Sequence, residues 1–235
     1  MIEAIESGKR PEKVLIQRDL QGDNIRRLFQ HVRKQEIPYQ LVPSERLNKV
    51  VSNNHQGVVA FISLIEYQSL ESVLPAVYEK GETPLILLLD GVTDVRNMGA
   101  VARSAACAGV HALVIPEKGG APVNADAIKA SAGALSVISV CRERSLPESI
   151  AFLKECGMQI LVCDEKGKDS VYDANLNGPL AIVMGAEDKG VSAAVRRMAG
   201  KVVHIPMKGP IASLNVSVAT GVVLFEALRQ REWKR

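Results

Sequence analysis

From residue 85 onward, short runs of continuous apolar residues alternate with longer stretches of helical character. The clearest run is Leu85-Ile86-Leu87-Leu88-Leu89-Asp90. A strand that is apolar on both faces must be covered on both. That is the condition of a parallel sheet held between two layers of helices. Strands are predicted at 85–90, 111–116, 136–140, 158–163, 180–184 and 202–206, and a long helix from Asn215 to Arg231 follows them. The expected class is α/β with a parallel sheet over residues 85–235.

Residues 1–63 read as a separate small α/β unit. Short strands are expected at Val14-Leu15-Ile16, at Tyr39-Gln40-Leu41-Val42 and at 57–62. Asn24 to Gln35 has Ile25, Leu28, Phe29 and Val32 at helical spacing, and Ser44 is placed to cap a helix running to Val51. Ile2–Ser7 reads as the tail of a helix. Residues 64–84 are expected as a linker with some helix, and the domain boundary is put at the breaker Gly81-Glu82-Thr83-Pro84.

A length of 235 residues suits a small domain plus a medium one, and 47% hydrophobic with 23% charged residues is a globular composition. The net charge is only +3. Residues 1–63 hold 10 Lys/Arg against 7 Asp/Glu, and the remainder holds 19 of each. The surplus of positive charge therefore sits in the first unit, where Arg18, Arg26, Arg27, Arg33, Lys34 and Tyr39 could face phosphates. The four cysteines (Cys107, Cys141, Cys156, Cys163) show no metal-binding spacing, so no metal is expected. They read as reduced thiols of a cytoplasmic protein. No signal peptide or membrane span is visible.

Ligands of open α/β sheets bind outside the carboxyl ends of strands, so three loops concentrate the chemistry. The first leads into Asn97-Met98-Gly99-Ala100-Val101-Ala102-Arg103. Asn97 reads most simply as a helix N-cap. Arg103 has no acidic residue four positions away, and Gly99 and Ala100 would leave its side chain a clear path to the sheet mouth. An anionic or phosphate-bearing substrate follows. The second loop, after Met184, is Gly185-Ala186-Glu187-Asp188-Lys189-Gly190, in which Glu187 is either a general base or hydrogen-bond acceptor, or a first-turn carboxylate complementing a helix dipole. In the third loop, Ile205 to Asn215, Ser213 or Asn215 caps the last helix, and Leu214 could pack on a flat apolar ligand or in the core. His31 reads as solvated, and His111 and His204 as structural. There is no strand-borne G-x-G-x-x-G, no P-loop and no G-x-S-x-G elbow, which argues against nicotinamide enzymes, P-loop NTPases and α/β-hydrolases.

Taken together, the three loops resemble the SPOUT superfamily of methyltransferases, in its SpoU/TrmH branch. The resemblance lies in Asn97-x-Gly99-x-x-x-Arg103, in Met184-Gly185-Ala186-Glu187 with Gly190, and in Ile205-Pro206-Met207 with Ser213-Leu214-Asn215-Val216-Ser217-Val218-Ala219. It implies a trefoil-knotted catalytic domain behind an L30e-like RNA-binding domain that ends at His55-Gln56-Gly57. It implies 2′-O-methylation of an RNA ribose, in the members most similar to this chain a guanosine of 23S rRNA. The same chemistry on tRNA, or a non-catalytic RNA-binding or ribosome-assembly role, are the alternatives. S-adenosylmethionine is the implied cofactor, held around Met184, Gly185, Ile205, Met207, Ser213 and Leu214, with no metal. Arg103 is the implied group at the 2′-hydroxyl and its phosphate; Glu187 helps the proton leave, and Asn97, Ser213 and Asn215 orient the partners. A homodimer through the knotted domain is implied, with Ala219, Gly221, Val222 and Phe225 in the interface.

Overall fold

The computed structural model describes residues 1–7, 11–211 and 213–233. The chain divides into two units, Met1–Leu64 and Ile65–Arg235.

The first unit runs α1 (Ile2–Glu6), β1 (Pro11–Gln17), α2 (Asp23–Lys34), β2 (Tyr39–Val42), α3 (Ser44–Val50) and β3 (Val58–Ile62). The strand order is β2-β1-β3, with β2 parallel and β3 antiparallel to β1. Period-two alternation along β1 builds both cores. Val14 and Ile16 pack with Ile5 of α1 and with Leu28 and Val32 of α2, while Leu15 packs on Leu47 of α3. Ser44 does not cap α3. Pro43 holds the extended cap position with φ −61° and ψ 154°, so Ser44 already lies inside the helix and makes no capping bond. His31 is not simply solvated either, for its Nε2 lies 3.2 Å from Glu6 Oε1.

The second unit runs α4 (Leu70–Glu79), β4 (Leu85–Asp90), α5 (Val95–Cys107), β5 (Ala112–Pro116), α6 (Ala125–Ala130), β6 (Ser139–Glu143), α7 (Leu146–Glu155), β7 (Gln159–Cys163), β8 (Asp169–Ser170), β9 (Leu180–Gly185), α8 (Ala193–Met198), β10 (Lys201–His204) and α9 (Val216–Glu232). Its seven-stranded sheet has the order β6-β5-β4-β9-β7-β10-β8, and every pairing is parallel. Leu85, Leu87 and Leu89 face a core shared with α5, α6 and α9. Ile86 and Leu88 face the opposite core with α4, α7 and α8. Burial of such side chains stabilises the fold by about 1.5–3 kcal/mol each, and this explains why the strand runs are apolar without alternation.

Two boundaries differ from expectation. Residues 65–84 belong to the second unit. Ser69 caps α4 by accepting from Ser72 N, and Leu70, Val73, Leu74 and Val77 are buried against the sheet, so hydrophobic burial removes this segment from any linker. The strand expected at 136–140 begins at Ser139 instead. Ala132 and Gly133 are left-handed, with φ of 49° and 87°, and they turn 134–136 into a single 3-10 turn before the strand starts.

Strands β5 and β6 extend the sheet on one side of β4, whereas β9, β7 and β10 lie on the other. After β10 the chain must return to reach α9, which packs beside α5. Ile205, Met207, Ser213 and Leu214, from that return, lie with Cys163 and Met184 at the carboxyl ends of β7 and β9.

Candidate active site at the carboxyl edge of the sheet

The three loops of the second unit meet through one amide. Asn215 is the N-cap of α9; its Oδ1 accepts from Ser217 N at 2.9 Å and from Ser217 Oγ at 2.5 Å. With its oxygen committed to α9, its Nδ2 must face outward. There it donates to Asn97 Oδ1 at 3.0 Å, in the first turn of α5, and to Glu187 Oε1 in the loop after β9. Glu187 Oε1 also accepts from Val216 N at 3.3 Å. One carboxylate oxygen of Glu187 therefore sits at the start of a 17-residue helix, where the dipole favours negative charge. Its Oε2 makes no hydrogen bond with any described residue.

Asn97 does not cap α5. Asp94 does, accepting from Asn97 N at 2.8 Å. This frees the Asn97 side chain to reach Asn215. The capping alternative in the third loop resolves to Asn215, while Ser213 is exposed and makes no capping bond.

The hairpin-like loop 186–190 depends on glycine at both ends. A Cβ on Gly185 would lie 2.2 Å from the Gly190 carbonyl carbon and 2.3 Å from Val191 N. Gly190 itself has φ 63°. Side chains at these positions would force the loop open.

Between the strand ends lies a cleft that is half open to solvent. Met184, Gly185, Glu187, Ile205, Met207, Ser213 and Leu214 line it, so the residues expected around the cofactor are brought together. A fourth segment, Cys163-Asp164-Glu165-Lys166, completes the wall with Arg196, Val216 and Ala219. Sequence reading missed this segment. The signal was available, since 158–163 was expected as a strand and any parallel strand delivers its following residues to the same edge. Burial first, and then the charge of Asp164, push the Cys163 thiol up to about 11. Cys163 is thus a wall rather than a nucleophile.

Arg103 and Asn97 do not line the cleft. Arg103 is exposed, and its side chain makes no hydrogen bond or ion pair with any described residue. The expected path over Gly99 is also corrected. A Cβ on Gly99 would lie 2.5 Å from Ala130 Cβ and 2.9 Å from Ala127 O, so this glycine lets α5 and α6 approach closely. His111 is structural, as expected: Leu85 N donates to its Nδ1 at 3.0 Å and its Nε2 lies 3.0 Å from Glu82. His55 is held likewise, with Nδ1 accepting from Gly57 N at 2.9 Å.

The lining suits S-adenosylmethionine. Met184, Ile205, Leu214, Val216 and Ala219 offer apolar surface for a flat ring, and Glu165, Glu187 and Asp188 offer negative charge to a ligand bearing cationic groups. No group of three or more His, Cys, Asp or Glu that could hold a metal occurs among the described residues. No described helix is long and apolar enough to cross a membrane.

Comparison with known proteins places this geometry. Residues 84–225 match the model of the SpoU rRNA methylase family, and residues 1–68 match that of the RNA 2′-O ribose methyltransferase substrate-binding domain. The 23S rRNA (guanosine-2′-O-)-methyltransferase RlmB of Pectobacterium atrosepticum is 39% identical over 233 residues, which cover 93% of this chain and 95% of that protein. The SpoU methyltransferase AviRb of Streptomyces viridochromogenes, solved with AdoMet, superposes with a TM-score of 0.64 at 25% identity, covering 97% of this chain and 85% of that one. A TrmH/SpoU tRNA-modifying enzyme of A. aeolicus superposes with a TM-score of 0.59 at 31% identity, covering 69% of this chain and 84% of that one. The chain belongs to the SpoU/TrmH family of S-adenosylmethionine-dependent RNA 2′-O-ribose methyltransferases.

Proposed function

We propose that the chain methylates the ribose 2′-oxygen of a guanosine in 23S rRNA, in the cytoplasm, as a homodimer whose second unit is trefoil-knotted. The observation that carries the substrate is the reach of the similarity. RlmB relatives match this chain through both units, and the first unit matches a substrate-binding model. The tRNA-modifying relative matches 69% of the chain, a share close to that of the second unit alone. The return of residues 205–215 across β7 and β9 is the segment that would thread the knot.

The bound cofactor supplies an electrophilic methyl group on a sulfonium. The chain must align a ribose hydroxyl behind it and help the proton depart. Glu187 is fixed through Oε1 by Asn215 and Val216, and its Oε2 takes the proton or steers it to the substrate phosphate. Asn97 acts through Asn215, holding the loops in register. Arg103 binds the phosphate beside the reacting sugar as a fixed cation; a guanidinium holds its proton too firmly to serve as a base. Because Arg103 lies outside the cleft of its own chain, it serves the cleft of a second protomer. Val218 and Phe225, 52% and 45% exposed on α9, supply apolar surface for that pairing, together with Ala219, Gly221 and Val222. Exposed Arg18, Arg33 and Lys34 of the first unit supply charge for RNA.

The test is transfer of labelled methyl from S-adenosylmethionine to protein-free 23S rRNA and, separately, to bulk tRNA. Label on 23S rRNA is expected. Label on tRNA alone would refute the substrate.

A further inference from the structure

The loop that carries Glu187 has little structure of its own. Its internal backbone tie is the bond from Gly190 N to Ala186 O at 2.8 Å. The rest of its support comes from its neighbours. Strand β9 lies between β4 and β7, and each of these leads into a carboxylate. Asp90, the last residue of β4, accepts from Ser192 N at 2.7 Å. Asp164, one residue past β7, accepts from Val191 N at 3.4 Å. Two acids on opposite sides thus grip consecutive amides at the loop exit.

Asp164 does more than Asp90. Its side chain is 2% exposed, and Arg196 of α8 pairs with it, Nη2 to Oδ2, at 2.5 Å. The same Nη2 reaches Val191 O at 3.2 Å. The other oxygen of Asp164 accepts from Lys166 N at 3.0 Å and so shapes the 163–166 wall. A Cβ at Gly190 would approach Asp164 Oδ2 to 3.0 Å. One ion pair, buried at its carboxylate end, therefore touches the 163–166 segment, the loop exit and α8, all of which border the cleft. With both oxygens of Asp164 occupied, its work is support rather than contact with a substrate.

We propose that Asp164 and Arg196 are positioning residues: their ion pair fixes the exit of the Gly185–Gly190 loop and thereby sets Glu187 and the cofactor-facing wall. The cofactor half of this rests on the reading of the cleft as the S-adenosylmethionine site. A pair serving stability alone would lower the melting temperature and leave the cofactor affinity of the folded protein unchanged.

The test uses the full chain with Asp164→Asn, Arg196→Met, Arg196→Lys and the double variant Asp164→Asn/Arg196→Met. In the ligand-free protein, amide exchange over 185–192 should quicken in D164N and R196M while β4 and β9 stay protected. Calorimetry should show S-adenosylmethionine binding weakened about tenfold (about 1.4 kcal/mol) in both. Turnover at saturating cofactor should fall as well, because the same loop carries Glu187. R196K should recover most of the loss, and the double variant should bind no worse than the weaker single variant, because the two residues act as a unit. Unchanged exchange at 185–192, or unchanged cofactor affinity in a folded variant, would overturn the proposal. If D164N fails to fold, R196M, whose side chain is 31% exposed, gives the same readouts. A wild-type chain that binds no S-adenosylmethionine would refute the reading of the cleft, whereas exchange would still decide the latch.

Discussion

Asn215 Nδ2 lies 3.0 Å from Asn97 Oδ1 although 118 positions separate the two residues along the chain. The same amide nitrogen holds Glu187 and the same side chain caps α9. Asn215→Ala should therefore do two separable things. Loss of the cap should cost about 1 kcal/mol in urea unfolding. Release of Asn97 and Glu187 should lower turnover well beyond what that small instability explains. Asn215→Ser keeps a capping oxygen without the bridge, so it should recover stability but not rate.

Glu187→Gln keeps an acceptor for Val216 N and removes the charge. Its melting temperature should stay near that of the parent while turnover at saturating cofactor and RNA falls. Glu187→Ala should lower both, since α9 then loses its acceptor. Equal turnover in parent and Gln variant would remove Glu187 from proton transfer.

Arg103→Ala should leave S-adenosylmethionine binding unchanged, because Arg103 does not line the cleft. Turnover at saturating RNA should fall by about a hundredfold or more, the scale of a lost charge-stabilising group. Mixing R103A with E187A chains should restore activity in the mixed dimer, where one cleft receives both native groups. No recovery on mixing would place Arg103 in the cleft of its own chain.

Gly99→Ala should destabilise the second unit. The added methyl meets Ala130 Cβ at 2.5 Å and the α6 backbone at 2.9 Å, and two helices cannot yield as a flexible side chain does. A loss of about 1–3 kcal/mol in denaturant unfolding is expected.

Glu226 gives a pH test. Hydrogen bonds from Arg229, at 2.8 Å to each carboxylate oxygen, hold its carboxyl below the usual range. A depressed value in the folded state means stability that is present above the unfolded value, near about 4.3, and lost as pH falls through the folded one. Glu226→Gln should therefore melt below the parent at pH 7, and the gap should close under acid.

Much of this layout was legible in the chain itself, for identifiable reasons. Strand runs such as 85–90 and 180–184 are apolar on both faces, and only a doubly covered sheet buries them. Asn215 sits where a helix must be capped. Other features depend on tertiary context. Nothing local distinguishes Asn97 from a cap when Asp94 stands three residues earlier. Gly99 looked like a gap for Arg103 because the approach of α6 is not written near it. Nothing near Asp164 announces its role, because its partner Arg196 lies 32 positions away. The segment 64–84 was read by its terminal breaker, whereas the burial of Leu70, Val73, Leu74 and Val77 decides where it belongs.

The most direct measurement is the chemical position of the transferred methyl. RNA labelled by the purified chain and S-adenosylmethionine is digested to nucleosides and resolved by mass spectrometry. A cleft built to align a ribose hydroxyl should yield 2′-O-methylguanosine. Label on a base nitrogen or carbon, or no transfer by a folded chain that binds the cofactor, would contradict it.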